Sequence, residues 1–372
     1  MKVLFIGSGK KPSTFIQRRI DSLREINVTC FLPLENEVHK RNYAMYLLKI
    51  MLFHPKRFHF FIKIYRAQKG IDFKLKIKRA IKYIDFIENV PDIIHFQWIS
   101  HVNSFEWLIN YFKKPVIASV RGSMVTVYPN NNPTYKKLLS KSFALTDHVH
   151  CVSDSLKSIC IDEFNITKEK VFTNYNGIDT QKFKPSKGKE EQRMPFTLIS
   201  VGALMWRKGF LLQLLILKEL QNYPIKLICI GKGEDEFKLQ YQAKKLGLLD
   251  RIEFVGEKTE DEIISYLQQS SVYISTSIAE GLSNSVLEAA ACGLPTIAFE
   301  CEGMNEVILN DMTGFVVPFG DVKEMATKII ALKDDEETLK KFGKQARDHV
   351  LENFKIEEHV KKMTYFYKEL IK

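Results

Sequence analysis

The sequence predicts an α/β protein in which a linker joins two doubly wound, parallel-sheet domains. In the first half, short runs rich in branched aliphatic residues alternate with helical patterns, which is the rhythm of parallel βαβ units. The same alternation restarts after residues 185–195, a charged stretch bracketed by prolines and typical of an exposed linker. A chain of 372 residues, 45% of them hydrophobic, is long and apolar enough for two cores.

The predicted elements follow in chain order. In the first domain, residues 1–190, a helix covers residues 15–25 and strands cover residues 3–7, 28–33, 92–98, 115–122, 148–153 and 171–176. In the second domain, residues 191–354, helices separate strands at residues 197–202, 225–231, 251–256, 272–277 and 295–299. Residues 355–372 keep apolar side chains at helical spacing, so we expect an amphipathic helix that packs back on the first domain.

Two such Rossmann-like domains form a cleft between the carboxyl ends of their strands, where open α/β sheets bind ligands. Dehydrogenases, epimerases and transferases all use clefts of this kind, so the fold alone names no reaction. The function must therefore be sought in the loops at the strand ends.

Neither a signal peptide nor a membrane span is predicted. The apolar run at residues 1–7 is short and lacks a cleavage site, and the most apolar stretch, residues 210–217, is much shorter than a spanning helix. The six cysteines have no metal-binding or redox spacing and are expected to be reduced thiols in the core. We expect a cytoplasmic protein whose membrane contact, if it has one, is peripheral and on the inner face.

Residues 40–82 hold thirteen Lys or Arg residues against one acid, Asp72, and so carry +12, while the rest of the chain carries about −1 of the net charge of +11. Aromatic residues interleave with these cations, and Pro55 divides the segment into two predicted helices. This mixture is typical of interfacial helices, so an anionic membrane surface is a predicted partner. The alternative is a helical pair that packs its aromatics into the first domain and leaves its lysines solvated. No RNA-binding motif accompanies the charge, so nucleic acid is not a predicted partner.

The stretch after the predicted strand at residues 272–277 suits the phosphates of a nucleotide. Its serine and asparagine residues favour a helix start, and the alanine-rich run that follows favours a helix. Unpaired amides at such a helix N terminus bind phosphate. The predicted contacts are Gly281, Leu282, Ser283 and Asn284.

Two glutamates flank this turn. Glu280 lies in the loop, and Glu288 lies one turn into the helix, where a carboxylate can accept hydrogen bonds from a ribose diol. In the alternative interpretation, Glu280 only favours a helix start and Glu288 only faces solvent. The buried strand before the pair and the alanine-rich helix after it favour the binding function.

Three further candidates come from other strand ends. Arg207 and Lys208 follow the first strand of the second domain and suit a diphosphate whose charge grows as the sugar bond breaks, although such a pair can also be simply solvated. Arg121, followed by Gly122, lies at a strand end of the first domain. Gly9 lies in a stretch that resembles the start of a phosphate-binding loop, but neither G-x-G-x-x-G nor the Walker spacing is completed.

These motifs resemble glycosyltransferase family 4 over nearly the whole chain, most strongly in the second domain. Residues 280–288 match the family's E-x7-E signature, and residues 303–306 with 313–318 resemble the segments that follow it. Residues 176–179 and 12–19 resemble the family's exit from the first domain and its early S-x-T-F segment. The resemblance implies the GT-B fold and retention of the anomeric configuration.

The resemblance also implies roles for individual residues. Glu280 would contact the donor sugar, Glu288 the ribose, and Lys208 the β-phosphate, which it neutralises without a metal. Ala203 stands where the family often has arginine, so Arg207 is expected to compensate.

The predicted function is retaining, metal-independent transfer of a sugar from a UDP- or GDP-sugar to a glycan or lipid-linked acceptor, in the synthesis of cell-surface polysaccharide. Because no Asp-x-Asp motif occurs, cations and helix dipoles are expected to stabilise the leaving group without a metal or other cofactor. Arg121 stands where the family often has a histidine close to the transferred sugar. The resemblance therefore implies that Arg121 also lies close to that sugar. Retention favours front-face substitution, in which the departing phosphate helps to deprotonate the acceptor hydroxyl.

Other functions use similar parts. A glycoside hydrolase needs two carboxylates across the glycosidic bond, and Glu288 is expected at the nucleotide end instead. A nucleotide-sugar epimerase of GT-B fold would turn over the donor without an acceptor. A catalytically inactive GT-B scaffold is favoured by Ala203 and disfavoured by the intact lysine and glutamates. Donor turnover separates this scaffold from a transferase.

Overall fold

The computed structural model describes residues 1–6, 14–25, 29–31, 48, 51–67, 72–73, 76–77, 80, 90–186 and 196–372. The candidate phosphate contact Gly9, most of the predicted linker and much of the 40–82 segment lie outside these residues. The described chain forms two α/β units, each built on a parallel sheet, and this confirms the predicted fold class.

The first sheet has the strand order β2-β1-β3-β4-β5-β6, and all its neighbouring strands pair in parallel. Its strands are β1 (Lys2–Ile6), β2 (Thr29–Phe31), β3 (Ile93–Phe96), β4 (Val116–Val120), β5 (His148–Cys151) and β6 (Val171–Thr173). The helices of this domain are α1 (Thr14–Glu25), α2 (Pro55–Ala67), α3 (Ile99–Val102), α4 (Glu106–Phe112), α5 (Ser123–Thr126), α6 (Tyr128–Asn131), α7 (Pro133–Ala144) and α8 (Asp154–Asp162).

The second sheet has the order β12-β11-β10-β7-β8-β9 and is also parallel. Its strands are β7 (Phe196–Val201), β8 (Ile225–Ile230), β9 (Ile252–Gly256), β10 (Val272–Ser275), β11 (Thr296–Phe299) and β12 (Gly314–Val317). The helices are α9 (Phe210–Glu219), α10 (Glu236–Lys245), α11 (Glu260–Gln269), α12 (Asn284–Ala291), α13 (Met304–Val307), α14 (Val322–Asp334), α15 (Glu336–Asn353) and α16 (Ile356–Leu370).

The central strands are short apolar runs because both of their faces are covered. Every residue of β3, β4, β10 and β11 is buried, as expected for parallel strands with helices on either side. The predicted strand at residues 92–98 ends early, at Phe96. Gln97 still donates its N–H to the carbonyl of Ile6, 2.8 Å away, but its side chain already belongs to the edge of the cleft.

The C-terminal helix α16 crosses back to the first domain, as predicted. Val360, Met363 and Tyr367 are buried in one cluster with Val3 and Phe5 of β1. Burial of such side chains contributes about 1.5–3 kcal/mol each, so α16 is an integral part of the core of the first domain.

A buried chain of hydrogen bonds ties α16 to three strands. Tyr367 Oη lies 2.6 Å from His95 Nδ1, His95 Nε2 lies 2.9 Å from Ser119 Oγ, and that oxygen lies 2.8 Å from His150 Nδ1. His150 Nε2 faces the carbonyl of Asn174 at 2.7 Å and must donate to it. Burial lowers the pKa of both histidines well below the usual range, so both are neutral. Every bond therefore runs in one direction, from the tyrosine to the carbonyl.

The described part of the basic segment packs on the first domain with one face of α2. Phe60, Phe61 and Ile64 are buried, and the Phe60 ring meets Tyr111 edge-on at 4.6 Å. Just before α2, Phe53 is 69% exposed. The segment thus has packed and exposed aromatics, and the structure leaves membrane binding as a prediction. In the described part of the chain, no helix combines the length and apolarity needed to cross a bilayer.

Candidate active site

The two domains meet backbone to backbone at the carboxyl edges of their sheets. A Cβ on Gly281 would lie 2.6 Å from the carbonyl carbon of Arg121. A Cβ on Gly122, which has a φ of +119°, would lie 2.9 Å from the carbonyl carbon of Glu280. Glycine is required at both positions because any side chain would push the domains apart. This contact brings the predicted donor loop against the end of β4.

Lys208 and Glu280 form an ion pair inside the cleft. Lys208 ends a 3₁₀ turn after β7, and Glu280 lies in the loop after β10, on the neighbouring strand. Lys208 Nζ donates to Glu280 Oε1 at 2.5 Å, and Ser277 Oγ donates to the same oxygen at 2.8 Å. The two charged side chains are only 20% and 11% exposed. Both residues are candidates predicted from the sequence, and the structure brings them into contact.

The loop after Glu280 leads into α12, as predicted. Ser283 takes the N-cap position, but its hydroxyl makes no capping bond and lies 3.4 Å from Ser285 Oγ. Leu282 and Ser283 are buried. The first-turn amides of a helix have no acceptor within the helix, so the N terminus of α12 offers donors and a positive dipole end at the edge of the cleft.

Arg121 is fully engaged within the first domain and across to the second. Its Nε and Nη2 donate to the backbone and side-chain oxygens of Gln97, both at 3.0 Å, and its Nη1 donates to Asn176 Oδ1 at 2.8 Å. Asn176 Nδ2 in turn donates, at 3.1 Å, to the Oδ1 of Asn284, which is the first residue of α12. Burial, with Arg19 nearby, lowers the pKa of Arg121 well below its usual range. Arg121 therefore connects the ends of β3 and β4 to the start of α12.

Glu288 meets a cation of the first domain. Its Oε1 accepts from Nη1 and Nη2 of Arg18, both at 3.0 Å, and Arg18 Nε also donates to Glu260 Oε1 at 2.8 Å. Lys182 Nζ lies 2.8 Å from the other oxygen of Glu260. Glu288 thus does not face bulk solvent, since its side chain is 12% exposed.

Arg207 points along its own loop. Its Nε lies 3.2 Å from Met205 Sδ, and its carbonyl accepts from the N–H of Ile278 at 2.8 Å. Ala203, where the family often has arginine, is exposed. Arg207 directly precedes Lys208 in the sequence. That Arg207 takes the role of the family's arginine at position 203 stays a prediction.

Sequence reasoning missed Arg18, Glu260 and Asn176 as parts of this region. Arg18 precedes Arg19, which shares the buried face of α1 with Ile16. An arginine pair at the start of an amphipathic helix was the available signal. Its partner Glu288 lies 270 positions away, so nothing local could identify the pairing.

Two family models match the chain. The model described as glycosyl transferases group 1 matches residues 180–349, and the model described as glycosyltransferase family 4 matches residues 22–182. The second therefore covers most of the first domain, and the first covers α12 and the loops after β7 and β10. Together they account for both sides of the cleft.

Curated relatives are glycosyltransferases as well. The chain is 30% identical over 225 residues to the capsular polysaccharide biosynthesis glycosyltransferase CapM of Staphylococcus aureus, covering 57% of this chain and 58% of the relative. It is 26% identical over 255 residues to UDP-Gal:α-D-GlcNAc-diphosphoundecaprenol α-1,3-galactosyltransferase of Escherichia coli, covering 64% of each. The match spans less than two thirds of these relatives.

The fold recurs in a solved structure. Anabaena HepE in complex with UDP-glucose superposes with a TM-score of 0.79 over 99% of this chain and 100% of that chain. Only 18% of the aligned residues are identical, so this likeness concerns the fold alone.

Proposed function

The chain belongs to glycosyltransferase family 4 and is a glycosyltransferase with the GT-B fold; from that premise we propose that it uses a nucleotide-diphosphate sugar as donor. The sugar moves to a glycan or lipid-linked acceptor in cell-surface polysaccharide synthesis. The anomeric configuration is retained, and no metal takes part.

The observation that carries this proposal is the Lys208–Glu280 pair beside the N terminus of α12. A diphosphate that approaches the α12 amides also comes within reach of Lys208. A lysine already held by a carboxylate needs little reorganisation when negative charge develops on the leaving group, and such preorganised charges stabilise transition states most effectively. Glu280, held by Ser277 as well, is placed to accept from a hydroxyl of the donor sugar.

The reaction balances without an added base. The bond between the anomeric carbon and the diphosphate oxygen breaks while the acceptor oxygen bonds to the same carbon on the same face. The acceptor proton passes to the departing diphosphate oxygen. Lys208 and the α12 dipole stabilise the nucleoside diphosphate that leaves.

Relatives support the proposed substrates. The Escherichia coli relative is named for a UDP-galactose donor and a diphosphoundecaprenol-linked acceptor, and CapM for capsular polysaccharide biosynthesis. The HepE structure contains UDP-glucose. We therefore place UDP-sugars before GDP-sugars as donors. A lipid-linked acceptor would also give a purpose to the basic residues 40–82, which we propose dock on an anionic membrane.

Donor turnover with and without acceptor tests the function. The protein is incubated with UDP- and GDP-sugars, lipid-linked saccharides and a chelator, while nucleotide release and the product's anomeric proton signals are followed. Acceptor-dependent release with a retained anomer in the presence of chelator supports the proposal. Conversion of the donor to an epimer without acceptor would indicate an epimerase, and donor binding without turnover an inactive scaffold.

A further inference from the structure

Arg18 links the two domains at the carboxylate proposed to bind the ribose. Its guanidinium comes from α1 of the first domain and reaches α12 of the second, where both Nη atoms donate to Glu288 Oε1. Its Nε donates to Glu260 at the start of α11, and its carbon Cζ lies 4.9 Å from the centre of the Phe183 ring. With side-chain exposures of 15% for Arg18 and 12% for Glu288, this is a largely buried ion pair.

The contacts to Glu288 are one-sided. Both hydrogen bonds from Arg18 fall on Oε1, and within the described residues no hydrogen bond is made to Oε2. An ionised carboxylate has two oxygens, and each can accept hydrogen bonds. Because Arg18 holds Oε1, Oε2 can still accept from a diol. The arginine therefore orients Glu288 without consuming its whole hydrogen-bonding capacity.

The charges around Glu288 make Arg18 important for its ionisation. Burial raises the pKa of Glu288 above its ordinary value, while Arg18 acts to lower it. The other titratable groups that face it in the described structure are Glu260 of α11, Tyr273 of β10 and Cys292, which follows α12. Burial raises the pKa of the tyrosine and the thiol, so both are neutral. Arg18 thus supplies the positive charge at this carboxylate.

We propose that Arg18 is a positioning residue of the donor site: it reaches across the cleft and holds Glu288 by Oε1, so that Oε2 is presented to the donor ribose when the domains are closed. The inference rests on the proposed ribose contact of Glu288. Without Arg18, the buried carboxyl takes up a proton at higher pH and no longer accepts the diol as an anion. The side chain of Arg18 thus serves both the contact between the domains and the proposed nucleotide site.

The test measures the affinity for UDP by calorimetry from about pH 5.5 to about pH 8.5, because losing a neighbouring opposite charge raises a carboxyl pKa by about one to three units. Arg18→Met is expected to bind UDP about tenfold more weakly at the acidic end and within about threefold of the parent at the basic end. Arg18→Lys keeps the charge and should recover most of the parent's pH profile. Lys182→Met is the matched control, since Lys182 pairs with Glu260 and Asp261 and, among the described residues, forms no ion pair with Glu288.

A second ligand separates this inference from the proposed function. UDP lacking the ribose 2′- and 3′-hydroxyls should bind parent and Arg18→Met with the same ratio at every pH. If the parent binds both ligands equally, Glu288 does not hold the ribose and the proposed contact is wrong. If the parent prefers UDP but the Arg18→Met profile parallels the parent's, the positioning role is overturned. Equal losses in Arg18→Met and Arg18→Lys at all pH values, with intact circular dichroism, would also overturn it.

Discussion

The two domains contribute to the cleft in different ways. On the second domain, Lys208 and Glu280 lie in short loops directly after neighbouring strands and contact each other. On the first domain, Arg18 donates to Glu288 of the second domain, and Arg121 is linked to Asn284 of the second domain through Asn176. The Lys208–Glu280 pair is therefore complete within one domain, whereas the contacts of Arg18 and Arg121 with α12 form only where the domains touch.

The domains also differ in charge. Residues 40–82 of the first domain carry a charge of +12, and the rest of the chain is close to neutral. On α2, Lys56, His59 and Arg66 are exposed, while Phe60 and Phe61 are buried. If only the first domain binds the membrane, the second domain is not held by the membrane surface.

The largest expected effect is the loss of membrane binding. Replacing Lys56, Arg57, Lys63 and Arg66 by Glu should abolish co-sedimentation with phosphatidylglycerol vesicles. Four to five cations at the surface, at about 1 kcal/mol each, would give a membrane attraction of about 4 to 5 kcal/mol, and these four residues would supply most of it. Salt should weaken this attraction. The matched control changes four exposed lysines of the second domain, Lys323, Lys340, Lys341 and Lys344, to Glu. Equal recovery on neutral and anionic lipid, or equal losses in both variants, would end the distinction between the domains.

The next effect tests the donor side. Lys208→Ala should lower kcat by a factor that corresponds to about 2.7–4 kcal/mol, the scale for removing one preorganised charge stabiliser, and should raise KM much less. Steady-state kinetics with saturating acceptor measure both values. Lys218→Ala serves as the control, since Lys218 is an exposed lysine near the end of α9, the helix that follows Lys208. A Lys208→Ala enzyme within about threefold of the parent contradicts the assignment.

The fold was predictable because its signals are local. Parallel strands buried on both faces read as apolar runs such as β4, Val116–Val120, and each predicted strand is found. Their ends were predicted too long, as at Gln97, because this residue is as buried as the strand but directs its side chain to Arg121. An apolar run in the sequence predicts which residues are buried, but it does not predict at which residue the strand ends.

Residues of the candidate site could be predicted from the sequence only where residue type and position coincide within one loop. Lys208, Glu280 and Glu288 carry such signals, since each lies just after a strand or at a helix start. Arg18 and Asn176 do not, because their meaning depends on contacts with Glu288 and Asn284 across the cleft. Contacts between the domains arise from tertiary packing, so the two partners have no characteristic spacing in the sequence.

A smaller effect addresses nucleotide affinity. Glu288→Ala should weaken UDP binding at least about tenfold, because hydrogen bonds to a charged group are worth about 1.5–3 kcal/mol. Calorimetry measures this, with Glu260→Gln as the control that keeps Glu288 and its contact with Arg18. Unchanged affinity in a folded Glu288→Ala protein would remove the ribose contact from the donor side.

The smallest effect concerns α16, which follows the second domain in sequence but belongs to the first in space. Tyr367→Phe removes the O–H that donates to His95 Nδ1 and leaves a buried acceptor without that bond. The loss should be about 1 kcal/mol of unfolding free energy, seen as a lower urea midpoint at constant slope. Tyr365→Phe is the control on the same helix, since Tyr365 is 68% exposed. Equal midpoints for the two variants would show that apolar packing alone holds α16 on the first domain, and the directional chain from Tyr367 to Asn174 would then contribute nothing measurable.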